Sequence, residues 1–507
     1  MHRPHLPRLH LRAIFGRRPP LRGRRTSTTL ERTADTSLGQ SVGPLLRERG
    51  NDSGIVPLRD GGDAFAARAL LADAAERTLD IRYYIWRNDL SGTLLLDALR
   101  RAAARGVRVR LLLDDNNTPG LDGFLAALIA HPNVEVRLFN PFVWRRWRWL
   151  NYLTDFRRLN RRMHNKSFTA DGQVTLVGGR NVGDEYFDAD RHVDFVDLDV
   201  LAIGPVVGEV CADFDRYWAS PCAYPAEGIL RRLDAAARRD VAAAAAAVSA
   251  DPAAHQYVEA LQHSPFVQDL LAGRLRYVWA PTRMLSDDPA KAQGKAPERR
   301  LLPQRLAEVI GDARTSLLLV SPYLVPTREG VHAFAALAAR GVAITALTNA
   351  LESTDVAIVH AGYARRRRRL LDLGLRLYEL KRTWPRLPGH HRRPRGASRS
   401  SLHAKTFAVD DARVFVGSFN FDHRSARLNT EMGFVIDSPE LAQAIAAAFT
   451  AEIPGTSYEV RPVGGRGVQW LEHRGNGVVV HDAEPGTSWR QRLAVRLLAL
   501  LPVDELL

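Results

Sequence analysis

One block of residues occurs twice in this chain, and it constrains the fold more than any other feature. The first copy is His164-Asn-Lys166, Asp171, Gly178-Gly179 and Asn181; the second is His403-Ala-Lys405, Asp410, Gly417-Ser418 and Asn420. Both follow the spacing HxKx4Dx6G(G/S)xN, and the two histidines stand 239 residues apart. The offset recurs elsewhere. Ala-Ala-Arg-Gly-Val at 103–107 returns at 338–342, 235 residues later, and Glu76-Arg77-Thr78 is echoed by Ala313-Arg314-Thr315, 237 residues later. A period this long marks a duplicated domain and not a short-repeat solenoid.

Each copy shows the same element order. In the first, 65–76 reads as a helix, 78–86 as an aromatic, alternating strand, 92–105 as a helix ended by Gly106, and 107–113 as a strand followed by polar 114–117. In the second, 303–310 reads as a helix, 315–321 as a strand, 331–340 as a helix ended by Gly341, and 342–347 as a strand. Strand, helix, strand at this spacing predicts βαβ units and a parallel sheet. The repeated blocks read as hairpins, 166–170 with 173–177 and 406–409 with 413–416, each joined by an acidic or glycine-containing turn. The expected organisation is a basic, disordered arm over 1–53 and a first domain over 54–230. A helical linker and loop follow over 231–300, in which 231–249 is an exposed helix and 287–299 a polar loop. A second domain covers 301–507 and ends in an amphipathic tail.

On a strand, residues i and i+2 face the same side, so the His and Lys of each block project together. One imidazole can attack phosphorus while a second protonates the leaving oxygen. Two Lys and two Asn can hold the phosphoryl oxygens, and the Gly-Gly and Gly-Ser steps would let backbone approach the phosphate. A chance match to six fixed positions is on the order of 10⁻⁵ in a chain this long, before a second copy is demanded. Two of the five lysines, Lys166 and Lys405, fall on these positions in a chain whose other cations are all Arg.

These residues resemble the phospholipase D superfamily, whose signature is a paired HKD motif; the resemblance runs over about residues 54–507. Tyr83-Tyr84-Ile85-Trp86 and the stretches 106–120, 137–142, 161–168, 178–187 and 417–431 are similar to its bacterial cardiolipin synthase C branch. His423 stands where the family usually has Pro, and Gly179 replaces the superfamily's Ser, as is usual in this branch. The resemblance implies an α/β protein of two tandem phospholipase D-like domains, each a mixed sheet flanked by helices, forming one pseudo-two-fold active site. It implies a covalent phosphohistidine intermediate, with no metal and no other cofactor.

The implied catalytic set is His164, Lys166, Asp171, His403, Lys405 and Asp410. By family habit His164 is the nucleophile and His403 the general acid, later the base. Asp171 and Asp410 are expected to hold the motif strands without touching phosphorus. Gly178, Gly179, Asn181, Gly417, Ser418 and Asn420 are expected to support the phosphate. A downstream acid orients each motif histidine through its other ring nitrogen. Glu431 matches that position 28 residues after His403, and Asp197 is the best match in the first half, with Asp194 and Asp199 as competitors. The implied reaction is phosphatidyl transfer between two phospholipids to give cardiolipin, with hydrolysis when water reaches the intermediate. A monomer suffices, because the duplication supplies both motifs.

Lys plus Arg is 71 against 56 Asp plus Glu, a formal charge of +15. This excludes an acidic solvating chain and points to an anionic partner. It does not separate lipid from nucleic acid, so an HKD-type endonuclease stands as the alternative. The stretch 144–162 holds three Trp, two other aromatics and seven Arg just before the first block. Trp with Arg suits a lipid headgroup interface as well as single-stranded nucleic acid, and a packed helix with a solvated Arg face is the plainer reading; its place beside His164 favours a substrate entrance, and no nucleic acid is expected as partner. The five-arginine run 365–369 reads as a solvated helix face. The basic stretch 384–399 reads as a lid or a disordered loop, and its adjacent His390 and His391 lack metal-ligand spacing.

The tail 489–501 is apolar on one side and basic on the other, too short to span a bilayer. It suits either an interfacial helix or a terminal helix docked on the core. Residues 1–25 hold eight Arg, four Pro and no acid, and lack the apolar segment of a secretory signal. Cys211 and Cys222 are too few for a disulfide framework and read as buried apolar cysteines of a reducing compartment. The expected protein is a peripheral enzyme on the cytoplasmic face of the bacterial inner membrane, with phospholipid substrates and an anionic membrane surface as partners. The phosphatidyl donor, a requirement for a helper protein and the role of the arm are left open.

Overall fold

A computed structural model describes residues 21, 24–145, 147–190, 193–382, 399–465, 467–475 and 477–500. The two halves build the same sheet. In the first, the neighbouring strands run Val134–Phe139, Arg108–Asn117, Thr78–Ile85, Ser167–Ala170, Val174–Gly178, Asp199–Ile203 and Asp52–Leu58. In the second they run Arg376–Leu380, Ala343–Asn349, Ser316–Val320, Thr406–Val409, Arg413–Gly417, Met432–Ile436 and Val278–Ser286. In each half the first three are parallel and the others antiparallel, so the architecture is mixed α/β, with helices packed on the sheet. The last strands, Asp52–Leu58 and Val278–Ser286, pair antiparallel from Asp52 opposite Pro281 to Ile55 opposite Val278, joining the halves in one 18-stranded sheet. A two-fold axis brings equivalent strands together antiparallel, as these are.

Local chemistry sets the elements. The helix Leu90–Ala104 starts where the Asp89 carboxylate accepts from the Gly92 amide. It stops at Gly106, whose φ of 100° only glycine adopts freely; Gly341, with φ of 84°, ends the equivalent helix Arg328–Ala339. Each half has its own apolar core, and a third cluster seals them: Ile55, Val177 and Val200 meet Val416, Met432 and Phe434. Both cysteines are buried.

Four sequence expectations change. Polar 114–117 continues the strand Arg108–Asn117, because Asp114 and Asp115 are buried against Arg162 and Arg145. The arm is not wholly disordered. Arg24 donates to the Ser220 carbonyl, the Thr29 amide to Asp215, and a helix forms over Ser37–Leu46; residues 1–20 lie outside the described set. The linker contributes the sheet strand Val278–Ser286. The stretch read as a polar loop buries Asp287 and Lys291.

Asp171 and Asp410 sit at the two hairpin turns with φ of 50° and 52°. Asp171 accepts from the amides of Glu76, Arg77 and Thr78 at 3.0, 2.8 and 2.8 Å, and Asp410 does the same for Arg314, Thr315 and Ser316. Each carboxylate therefore holds the start of the central strand against its hairpin and does not join the histidines. Asp171→Ala leaves three amides without acceptors and places alanine in left-handed backbone. A stability loss of about 3 kcal/mol is expected by denaturant unfolding, with a smaller loss for the more exposed Asp410→Ala and turnover per folded molecule retained in both.

Candidate active site

The two blocks meet because each half completes the other's histidine segment. The strand Arg399–Leu402, just before His403, pairs in parallel with Val193–Val196, Leu402 opposite Val196. The Val196 carbonyl then accepts from the amides of His403 and Ala404 at 2.8 and 3.0 Å. The next residue on that segment is Asp197, whose Oδ2 lies 2.5 Å from His403 Nδ1. The other side repeats the pattern. Met163 bridges Thr430, the Thr430 carbonyl accepts from the His164 amide at 2.9 Å, and the next residue, Glu431, places Oε2 2.7 Å from His164 Nδ1.

The pairing thus crosses the halves. Asp197 orients the second-half histidine and Glu431 the first-half one. Matching each acid to the histidine of its own repeat assigns them the wrong way round, because chain spacing does not say which segment comes alongside. Of the competing aspartates, Asp199 is engaged with Arg68 at 2.7 Å, and the register at Val196 leaves Asp197 facing His403.

The two histidines, the two acids and the block lysines Lys166 and Lys405 are all buried. Tyr84 lies edge-on to His164 with centroids 4.8 Å apart, and Tyr186 and Phe195 contact His403 at 5.1 Å. Burial, with Lys166 and Lys405 behind it, holds His164 well below its ordinary value. Burial and Lys405 hold His403 at about 4, outweighing Asp197. Near pH 7 both rings are therefore neutral, with Nδ1–H donated to a carboxylate and the Nε2 lone pair free for chemistry. Burial also brings Lys166 to about 7 and lowers Lys405. Each lysine donates to the carbonyl of its own histidine, Lys166 at 2.6 Å. Burial opposes ionisation of Asp197, but His403, Lys405 and Arg180 keep it at about 2; burial raises Glu431 above the ordinary range.

This geometry requires the glycines. A Cβ on Gly178 would lie 2.1 Å from Asp199 Oδ1, and one on Gly417 2.3 Å from the Met432 carbonyl. A Cβ on Gly179 would lie 2.1 Å from Asp197 Oδ1. At the equivalent place Ser418 donates to Glu431 Oε2 at 2.5 Å. The two halves thus match Gly with Asp and Ser with Glu. The asparagines also differ. Asn181 is spent on the Ile85 amide and the Tyr186 hydroxyl, whereas Asn420 Oδ1 is buried with no hydrogen-bond partner among the described residues.

A clamp behind Glu431 escaped sequence reading. Lys291 Nζ donates to Asp287 Oδ2 and to the Ser425 carbonyl, both at 2.8 Å. Asp287 Oδ2 accepts from the Glu431 amide at 2.9 Å, and Ser425 Oγ donates to Glu431 Oε1 at 2.7 Å. Lys291 thereby grips both supports of the acid that orients His164. The signal was its rarity: it is one of five lysines, two of which are in the repeated block.

The Trp- and Arg-rich stretch forms the helix Arg148–Leu159, kinked at Asp155. Several arginines of the stretch are engaged by carboxylates: Arg145, before the helix, by Asp115 and Asp122, Arg158 by Asp155, and Arg162, beyond its end, by Asp114, while Arg157 is exposed. The inner side of the helix carries Tyr152, whose hydroxyl donates to Asn116 Oδ1 at 3.0 Å and which bears electrostatically on Tyr84, the ring beside His164. Trp149, Leu153 and Phe156 face out. His390 and His391 lie outside the described residues.

Lys291→Met leaves Asp287 buried without its cation and loosens Glu431, so phosphodiester turnover should fall about 10- to 100-fold with substrate KM little changed, as steady-state kinetics would read. Stability should also follow the histidines. Above pH 6.5 both states of His403 are neutral; between 6.5 and about 4 the unfolded chain binds a proton that the folded one does not. Urea midpoints should therefore fall as pH drops through this window, and fall less in His403→Gln.

Residues 69–218 and 306–453 match the family described as "Cardiolipin synthase, PLD-like domain", one match on each repeat. The chain is 50% identical to cardiolipin synthase C of Escherichia coli K12 over 471 residues, covering 93% of this chain and 99% of that one. It is 26% identical to cardiolipin synthase A of Pseudomonas entomophila over 74% of this chain and 63% of that one. The crystal structure of phosphatidylserine synthase of Haemophilus influenzae shares the fold, with a TM-score of 0.55 at 15% identity over 83% of this chain and 92% of that one. With two matched domains contributing one buried histidine each to a shared cleft, the chain belongs to the cardiolipin synthase family of phospholipase D-like proteins.

Proposed function

We propose that this protein is a phosphatidyltransferase that makes cardiolipin from two phospholipids through a phosphohistidine intermediate. The observation that carries the mechanism is the pair of buried, neutral histidines, each held through Nδ1 by a carboxylate of the other half. His164 Nε2 attacks the phosphatidyl phosphorus. The P–O bond to the departing headgroup breaks, and that oxygen takes a proton from His403 Nε2. The hydroxyl of a second phospholipid then attacks phosphorus, His403 takes up its proton, and the P–N bond to His164 breaks.

The resting site lacks the proton His403 must give, and the substrate supplies the reason to bind one. An anionic phosphodiester entering this buried site raises both imidazoles and fixes charge on Lys166 and Lys405. The two histidines are not equivalent. Asp197, firmly ionised, favours an imidazolium on His403, while burial pushes Glu431 beside His164 the other way. This supports His403 as acid and base and His164 as nucleophile. The histidine, lysine and carboxylate groups of both halves lie on one chain, which supports a site complete in a monomer.

Lipids would enter past Tyr152, where the aromatic contacts Phe142–Tyr152 and Tyr152–Phe156 connect the cleft wall to the exposed helix face. Among the described residues no helix is long and apolar enough to cross a membrane. Peripheral attachment to an anionic leaflet, at the cytoplasmic face of the inner membrane, is supported by the charge of +15 and by a cysteine count too low for a disulfide framework.

The test is turnover of labelled phosphatidylglycerol vesicles, with and without phosphatidylethanolamine, by wild type and His164→Ala. Cardiolipin should form, and the substitution should cost about 10³-fold or more; the vesicle composition that works identifies the donor. A phosphodiester with a nitrophenol leaving group separates the histidines, because it departs without an acid. His403→Ala should then accumulate a phosphorylated His164, and label on His403 in His164→Ala would reverse the assignment. Cleavage of DNA without lipid turnover would replace the reading by a nuclease.

A further inference from the structure

The end of the chain is fastened to the second half at definite points. Arg367, read in the sequence as part of a solvated run, is buried and bonds Glu379 and Glu484, each at 2.8 Å. The helix Trp489–Leu498 opens with a capping box formed by Ser488 and Gln491, and the Ala499 carbonyl just past its end accepts from Arg365 at 2.9 Å. It meets the body through Val495, packed on Leu351 and Ala361, with Leu498 and Ala499 at the margin. That contact uses one side of the helix and accounts for its docking.

Among the described residues the other side is uncovered. Trp489, Leu493, Leu497 and Leu500 are 63, 46, 57 and 79% exposed. At about 100° per residue they fall in a single stripe roughly 80° wide. Arg490 borders it on one side, Arg492 and Arg496 on the other. Just before the helix, the strand Gly477–His481 pairs with Val468–Arg474 alone among the described strands, and Val478, Val479 and Val480 along it are exposed. The segment under the helix leads into the active site. Asn349 bonds the amide and carbonyl of Leu402, the residue before His403. Asp355 accepts from the Tyr323 hydroxyl at 2.8 Å and bears electrostatically on Lys405.

We propose that this face is an interfacial anchor: the helix Trp489–Leu498 lies in the headgroup region of an anionic bilayer and holds the second-half wall of the cleft at the lipid surface. An apolar stripe bordered by arginines fits the boundary between acyl chains and phosphates. At 10 residues the helix is too short to cross. A second copy fits less well. A two-fold contact through this stripe would set Arg490, Arg492 and Arg496 of one chain against those of the other. The proposal rests on the lipid-substrate reading for the benefit of the anchor, but binding can be measured without turnover.

The experiment compares wild type with Trp489→Ala/Leu493→Ser/Leu497→Ser and with Arg490→Gln/Arg492→Gln/Arg496→Gln. Binding is read by co-sedimentation with vesicles of phosphatidylglycerol and phosphatidylcholine, and turnover on the same vesicles and in detergent-mixed micelles of phosphatidylglycerol. The apolar variant should bind phosphatidylglycerol vesicles roughly tenfold or more weakly, lose vesicle turnover in proportion and keep its micelle turnover. The arginine variant should lose preference for phosphatidylglycerol over phosphatidylcholine. Equal vesicle binding by wild type and both variants overturns the anchor, as does conversion of a solution dimer to monomer by the apolar variant with vesicle binding unchanged. Absence of wild-type turnover in micelles, with vesicle binding lost only in the variants, sinks the transferase reading and leaves the anchor standing.

Discussion

The site depends on two short backbone contacts between the halves, Leu402–His403 against Val196 and Met163–His164 against Thr430. Each fixes a register, and each register delivers a carboxylate, one residue further on, to a histidine of the other half. Without the contact between halves neither imidazole has its Nδ1 acceptor. That dependence explains why the sheet is continuous across the molecule. The antiparallel junction of Asp52–Leu58 with Val278–Ser286, and the apolar cluster behind it, hold the two registers in place.

Concentrating two histidines, two lysines and two acids in a buried space is costly unless the groups are mutually satisfied. Here satisfaction comes from fixed partners: carboxylates on Nδ1, histidine carbonyls on the lysine ammonium groups, Ser418 and Ser425 on Glu431. Burial then does the chemical tuning. It removes charge from the rings and weakens it on the lysines. The asymmetry between Asp197 and Glu431 is built from small differences, a glycine against a serine and an arginine against a lysine–aspartate clamp. These make unlike two groups that the duplication made equivalent.

The outer surface follows a different rule. Arginines that the composition suggests as a lipid-facing fringe are largely consumed inside, Arg145, Arg158 and Arg162 under the entrance helix and Arg367 under the tail. What remains exposed at the Arg148–Leu159 helix and the terminal helix includes apolar faces, Trp149, Leu153 and Phe156 on one and Trp489, Leu493 and Leu497 on the other, the second bordered by arginines. A lipid enzyme must hold a polar reaction away from water while its substrates stay in the bilayer. Apolar helix faces beside a buried polar cleft meet both needs.

Much was legible in the linear chain. The repeat offset, the strand–helix–strand order with its stop at Gly106 and Gly341, and the i, i+2 placement of His with Lys are local or periodic. Such features need only neighbouring residues or a copy elsewhere to be read. The turn role of Asp171 and Asp410 was legible for the same reason. Tertiary structure alone decided which acid serves which histidine, why Gly178, Gly179 and Gly417 must lack a side chain, and that Lys291 supports Glu431 from a stretch that looks like solvent-exposed loop. It also decided which face of the terminal helix is left uncovered. Each of these depends on which segments lie alongside one another across the two halves or against the core, and residue order along the chain carries no record of that.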